Sequence, residues 1–316
     1  MKAIRGILAF LLVLLLAVPG NAEILKFKEF SADSGAEYLN IGLTKDVGNW
    51  EKFLDFLAQF PNLKKVDMYG IPRMYAKRVE EIHARFPDVE FGITMLIGDA
   101  RTCLHKVRTD ATAFSTLHSF DPAVHSSKTL SVLRFCKNMY ALDIGHNSFD
   151  DLSFLAEMPQ LRVLIVAAGS ARDISAIGNL KHLEYLELFV NAIQDISCLK
   201  DMPYLMDLNV EGNLIQDISP VKELKSLKRL WIYQYNRASS KPVPEELMAE
   251  LQAALPGCHI DGHSTSTAGG WRTDENGNYH PHYAVIRRMF RAGVYEPFAD
   301  SPAENIPEGF APKAAE

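Results

Sequence analysis

Five side chains near the C-terminal end could hold a metal: Cys258, His259, His263, His280 and His282. Thiolate and imidazole are the usual zinc ligands. Their spacing matches no zinc motif, and the intervening stretch 264–282 is rich in Ser, Thr, Gly and Asn, which reads as a loop. Exposed polar loop residues are the preferred reading, so no metal and no cofactor is assigned. A zinc-dependent hydrolase using His259, His263, His280 and His282 remains the catalytic alternative. Other chemistry has no signature: G-x-x-x-x-G-K, G-x-G-x-x-G, H-E-x-x-H and G-x-S-x-G are all absent. No catalytic residue is assigned, and the chain reads as a non-enzyme.

A second constellation suits binding better. Three triplets of alternate residues recur 22 positions apart: Tyr185, Glu187, Phe189; Asp207, Asn209, Glu211; and Arg229, Trp231, Tyr233. If each triplet lies on one face of a strand, aromatics and acids are interleaved on one surface. Exposed aromatics in a patch mark a binding surface. The acids favour a protein or peptide partner with basic residues, Arg above all. A cell-wall or dietary polysaccharide is the alternative, since flat rings stack equally on sugars. A third possibility is that the C-terminal loop or helix folds back and covers the patch.

The element that must position these residues is a repeat. Leu142, Leu164, Leu186, Leu208 and Leu230 are spaced by 22, and so are Ile144, Val166, Leu188, Val210 and Ile232, and Met139, Leu161, Leu183, Leu205 and Leu227. Two more columns run Leu152, Ile174, Ile196, Ile218 and Leu155, Ile177, Leu199, Val221. Leu117, Phe120, Leu130, Leu133 and Cys136 extend the phase backwards more weakly. A period of 20–29 with L-x-x-L-x-L-x-x-N is the leucine-rich repeat signature. The Asn position holds Asn147, Gly169, Asn191, Asn213 and then Tyr235. A buried Asn donates and accepts at once, so it can satisfy backbone groups in its own turn and in the next coil. On the opposite side, Asp151, Asp173, Asp195 and Asp217 each precede x-Ser, a pairing that suits turns and short helix starts. The expected fold is therefore an α/β leucine-rich repeat solenoid, with parallel β on the concave face, short helices or 3-10 turns on the convex face, and helical caps at both ends.

The stretches Leu183 to Met202 and Leu205 to Leu224 resemble the 22-residue, internalin-like class of bacterial leucine-rich repeats. RTDATAF (108–114) and GGWR followed by HPHYAVIRRMF (269–290) are similar to secreted leucine-rich repeat proteins of clostridia-type gut bacteria. The resemblance spans roughly residues 40–290. It implies fold and export and carries no ligand. The chain departs from surface-anchored internalins in having no LPxTG-type signal and no following immunoglobulin-like stretch.

The flanks read as caps. Asn49 to Phe60 is an expected amphipathic helix, Leu63, Val66 and Met68 keep the repeat rhythm, and Arg73 to Phe86 and Val89 to Phe91 read as a second helix and strand. At the other end, Pro244 to Leu255 is an expected helix and Cys258 to Ile260 a last strand. Tyr283 to Arg291 reads as a short helix docked on that cap through Val285, Ile286, Met289 and Phe290, and the final sixteen or so residues read as disordered. The expected division is 1–22 signal peptide, 23–116 N-terminal cap, 117–236 repeat array, 237–263 C-terminal cap and 264–316 loop, helix and tail.

The chain has 316 residues, 47% of them hydrophobic, with 33 basic and 39 acidic residues, for a net charge of −6. That balance supports a sizeable core and points away from nucleic acid. Lys2 and Arg5, the apolar run Ile7–Val18, and Gly20 and Ala22 before Glu23 form a secretory signal pattern. The run is too short for a stable membrane anchor, so the expected location is extracellular and the mature charge −6 − 2 = −8. Four cysteines, Cys103, Cys136, Cys198 and Cys258, raise the question of disulfides. Cys136 and Cys198 sit nearly three coils apart, about 14 Å along a stack of strands, beyond disulfide reach.

Overall fold

The computed structural model describes residues 23–42, 47–98, 105–116, 125–233, 236, 243–265 and 267–312. The expected signal peptide, Cys103, Leu117, Phe120 and Tyr235 lie outside the described residues. Among the described residues, no helix is long and apolar enough to cross a membrane.

The chain begins with an antiparallel hairpin, β1 (Ile24–Phe27) and β2 (Phe30–Asp33). Then β3 (Tyr38–Asn40), β4 (Lys65–Asp67) and β5 (Glu90–Gly92) form a three-stranded parallel sheet. Two helices connect them, α1 (Trp50–Leu57) and α2 (Ala76–Arg85). Asn49 caps α1 by accepting the Lys52 N–H at 3.1 Å, a side-chain oxygen taking one of the unpaired first-turn donors. The apolar face of α1 buries Phe53, Leu54, Phe56 and Leu57. A hairpin of β6 (Thr94–Ile97) and β7 (His105–Arg108) follows.

The main array is a seven-stranded parallel sheet: β8 (Ala113–Ser115), β9 (Ala141–Asp143), β10 (Val163–Ile165), β11 (Tyr185–Glu187), β12 (Asp207–Asn209), β13 (Arg229–Trp231) and β14 (His259–Asp261), in sequence order. A short helix, α3 (Ser127–Leu130), follows β8. Short 3-10 turns stand on the far side of the core, at Ser153–Glu157, Ser175–Asn179, Ser197–Lys200 and Ser219–Glu223. Sheet register puts Leu142, Leu164, Leu186, Leu208 and Leu230 side by side. All five are fully buried, so each coil closes the apolar face of its neighbour. This is a leucine-rich repeat solenoid.

The polar columns hold the coils in step. The amides of Asn147, Asn191 and Asn213 each donate to carbonyls of their own turn, at 2.9, 3.0 and 2.9 Å to Ile144, Leu188 and Val210. Their oxygens accept the N–H of His125, Ala171 and Ile193 in the coil before, at 2.7, 3.1 and 3.2 Å. Gly169 replaces Asn in one coil for a steric reason: a Cβ there would lie 2.9 Å from the Asn147 carbonyl oxygen and 3.0 Å from the Phe149 ring. On the convex side, Asp151, Asp173, Asp195 and Asp217 accept the N–H of Ser153, Ser175, Ser197 and Ser219 at 2.7–2.8 Å. These bonds begin each 3-10 turn and take up donors that would otherwise lack a partner.

The helix α4 (Glu245–Ala254) covers the C-terminal end of the core, and β14 pairs with β13 beyond it. The chain then turns back across the outer face of the sheet. The helix α5 (Pro281–Ala292) starts over β12, where His282 meets Asp207, and ends by β8, where the Tyr295 N–H donates to Thr112 Oγ1 at 2.8 Å. Twelve residues of helix are about 18 Å long, which matches four strand spacings of about 4.8 Å. Sequence spacing placed this helix on the C-terminal cap; instead its buried residues Ile286, Met289 and Phe290 pack over the sheet. Residues 301–312 were expected to be disordered, but Asn305 is fully buried and a 3-10 turn spans Ala303–Asn305. The sheet is therefore buried on both faces, the usual state of parallel sheets.

Candidate functional site

The outward positions of β9 to β13 face a second apolar cluster. Ala141, Val163, Ile165, Ala167, Tyr185, Phe189 and Trp231 from the sheet side meet Trp271, Ile286, Met289, Tyr295 and Phe298 from the C-terminal segment. Of the nine residues that the sequence placed in a binding patch, Tyr185, Glu187, Phe189, Asp207, Asn209, Glu211, Arg229 and Trp231 are buried, and Tyr233 is half-buried. They lie together on one face, as their spacing requires, but their contacts are made within the chain. An open patch was the preferred reading and cover by the C-terminal loop or helix the alternative; the face is covered by residues 267–312, because seven strands carrying this many apolar outward residues need a second layer.

Glu187 is the centre of the covered face. It accepts the Trp271 indole N–H at 2.6 Å and the Arg272 Nε–H at 3.1 Å. A second Arg272 bond and the Tyr185 hydroxyl complete its shell. The Trp231 indole N–H donates to the Ala268 carbonyl at 3.2 Å. Arg272 lies over the Phe189 ring, 5.6 Å from its centroid, a cation–π contact.

Asp207 anchors a second group. Arg229 donates to it in fork fashion at 2.8 and 2.7 Å, and the Arg229 Nη1 also donates to the Trp271 carbonyl at 3.0 Å. His282 bridges two carboxylates, with Nδ1 2.5 Å from Asp207 and Nε2 2.7 Å from Asp300. Burial opposes charge on this ring, but hydrogen bonds to Asp207 and Asp300, and their charges, raise its pKa to about 9. His282 is therefore an imidazolium at neutral pH, donating from both nitrogens. Asp207 is held below the ordinary carboxylate range, since Arg229 and His282 together outweigh its burial. Asp143, buried beside Ser115 and Gly145, is pushed up to about 6 by desolvation.

A third contact ties down the end of the segment. Glu184, fully buried, accepts from Ser301 Oγ at 2.5 Å and Asn305 Nδ2 at 2.6 Å, while Arg162 Nε donates to the Asn305 carbonyl at 2.7 Å. Glu184 and Arg162 were not singled out in sequence because they fall just before the alternating triplets. Trp271, Arg272, Asp300 and Asn305 were missed because a loop composition hides which side chains are buried. The available signal was the apolar stripe of α5, which demanded a partner surface.

The metal candidates do not converge. Both His282 nitrogens are taken by carboxylates, and Cys258 Sγ faces the His259 carbonyl at 3.6 Å. Among the described residues, no three His, Cys, Asp or Glu side chains are grouped to hold a metal. Cys136, Cys198 and Cys258 are free thiols, and burial pushes them to about 12, 11 and 12. They are therefore protonated at neutral pH and poor nucleophiles.

No known protein family matches the chain, and no curated protein matches it. Among solved structures it is similar to an internalin of Listeria monocytogenes, with 18% identity, TM-score 0.35, and coverage of 58% of this chain and 54% of that one. Internalin C2 of the same organism gives 16% identity, TM-score 0.35 and coverage of 71% and 80%. A leucine-rich repeat protein of Leptospira interrogans gives 15%, 0.30, and 65% and 74%. This chain thus spans about half of the first of these. The fold assignment stands on this chain's own register and turn chemistry.

Proposed function

We propose that the chain is an exported, non-catalytic leucine-rich repeat protein that binds a protein or peptide partner on the concave sheet through Tyr185, Glu187, Phe189, Asp207, Asn209, Glu211, Arg229, Trp231 and Tyr233. The observation behind this reading is the way Glu187 receives a Trp–Arg pair: the face has the chemistry to hold a polypeptide, and here it holds residues of its own chain. A partner reaches the same residues by displacing the C-terminal segment. To do so it must bring a cation to Glu187 and another group to replace His282 at Asp207. Leaving Glu187 buried and unpaired costs on the order of 3–5 kcal/mol, whereas Asp207 keeps its Arg229 fork. That requirement selects partners carrying Arg beside an aromatic residue and rejects neutral ones. Polysaccharides, which carry no such cation, fit the face less well.

The test is capture from host and bacterial extracts with the mature chain, followed by hydrogen exchange on the resulting complex. Binding at this face raises exchange in residues 267–305 and weakens with salt as rim charges are screened. A Phe189→Ala, Trp231→Ala double variant loses the partner. A complex that forms equally with the double variant and leaves that exchange unchanged would place the site elsewhere.

A further inference from the structure

Where the C-terminal segment crosses β12 and β13, it does not close completely. A cavity of about 660 Å3 remains, with the sheet residues Asp207, Lys228 and Arg229 on one side and the start of α5 with residues 296–300 on the other. The volume falls within the ordinary range for small-molecule sites. Its walls divide by chemistry. Pro281, Ala284, Val285 and Pro297 supply apolar wall, and Asp207, Lys228, Arg229, His280, His282 and Asp300 supply polar groups.

The hydrogen-bond inventory of those polar groups is lopsided. Every carboxylate oxygen lining the cavity already faces a cation. Asp207 is taken by Arg229 and His282, Asp300 by His282 and Lys228, and Glu296 by Arg288. The donors are not all used. Lys228 Nζ carries three N–H groups and gives one to Asp300 at 2.7 Å, while its side chain remains 47% exposed. His280 accepts the His282 N–H on Nδ1 at 3.2 Å, so the proton of the neutral ring sits on Nε2. Burial, with Arg229 nearby, lowers its pKa to about 4 and keeps the ring neutral at physiological pH. The cavity therefore offers N–H donors to a guest, while each of its carboxylates is already matched by a cation. A guest that brings a cation finds no unmatched anion; one that brings a carboxylate finds two donors with protons to spare, Lys228 and His280.

We propose that this cavity binds a small organic acid, its carboxylate held by Lys228 and His280 and its short apolar body lying against Pro281, Ala284, Val285 and Pro297. Because the walls come from both the sheet and the segment, such a ligand binds only the covered form and stabilises it by mass action. If a partner competes with the segment for the sheet, as in the function proposed above, the acid opposes that partner. The binding itself needs no partner, so its success or failure is read independently of that function.

The experiment titrates hexanoate, 1-hexanol and inorganic phosphate into the full mature chain by calorimetry, with the unfolding temperature followed in parallel. Hexanoate binds saturably and raises the unfolding temperature, while hexanol and phosphate, each lacking one half of the pharmacophore, bind at least about tenfold more weakly. Lys228→Met reduces hexanoate affinity by at least about the same factor. Since Lys228 also holds Asp300, Ala284→Phe serves as the second variant: it fills the cavity without removing a charge, keeps the fold by far-UV dichroism, and abolishes binding. No saturable hexanoate binding, hexanol binding as tight as hexanoate, or unchanged binding by a folded Ala284→Phe variant would each overturn the proposal.

Discussion

Two parallel sheets in this chain share a design and differ in what lies over them. In both, the central residue of each three-residue strand points into the core: Leu39, Val66 and Phe91 in β3 to β5, and Leu164, Leu186 and Leu208 in β10 to β12. In the N-terminal sheet the outward positions meet water. Tyr38 is 49% exposed, and Lys65 pairs with Glu90 at 2.7 Å between two exposed side chains. At equivalent positions in the main sheet, Tyr185, Glu187 and Asp207 are fully buried beneath the C-terminal segment. The same local geometry thus gives ion pairs of very different weight. Exposed pairs contribute about 0–1 kcal/mol, whereas removing one partner of a buried pair costs about 3–5 kcal/mol. The cover converts a solvated face into part of the core.

The largest effects should come from the cover. Trp271→Ala removes a fully buried indole and its bond to Glu187 and should lower stability by about 3–5 kcal/mol in urea unfolding. Glu187→Ala leaves Arg272 without its carboxylate and should cost a similar amount. If either variant unfolds within about 0.5 kcal/mol of wild type, the two sheets are equivalent and the cover is not part of the core.

The pH response should separate the sheets next. His282 is raised to about 9 when folded, from an ordinary value near 6.5, so its contribution is complete below about 6.5 and is lost as pH rises through 9. Asp143, raised to about 6 when folded, adds an earlier loss of stability between about 3.8 and 6. Stability should therefore fall between about pH 7 and 9.5, and His282→Gln should flatten that limb while leaving the step assigned to Asp143. An unchanged alkaline limb in the variant would remove His282 as its cause.

Within the array, Asn191→Ala should cost about 1–3 kcal/mol, since the Ala171 N–H and the Leu188 carbonyl lose their partner. Smallest of all, Lys65→Ala on the open sheet should change stability by no more than about 0.5 kcal/mol. A cost above about 2 kcal/mol there would show that the N-terminal face is also covered in solution.

The comparison also marks what could be read from the chain alone. The leucine columns, the Asn ladder at 147, 191 and 213, and the Asp–x–Ser turns are each local devices with partners one coil away, so a repeat in sequence is a repeat in contacts. Their periodicity alone determined the solenoid, the strands and which side chains share its outer face. It also placed acids and aromatics together there, and in the folded chain one of those acids, Glu187, takes an Arg, Arg272. Tertiary structure decided whose Arg it is. Contacts such as Trp271 with Glu187, His282 with Asp207 and Asn305 with Glu184 join residues 75 to 121 positions apart. No period relates their two ends, and a loop composition does not reveal that its Trp is buried. Apolar area on the sheet required a cover, but only the folded chain shows that residues 267–312 supply it, because a buried surface is defined by its partner and not by its own pattern.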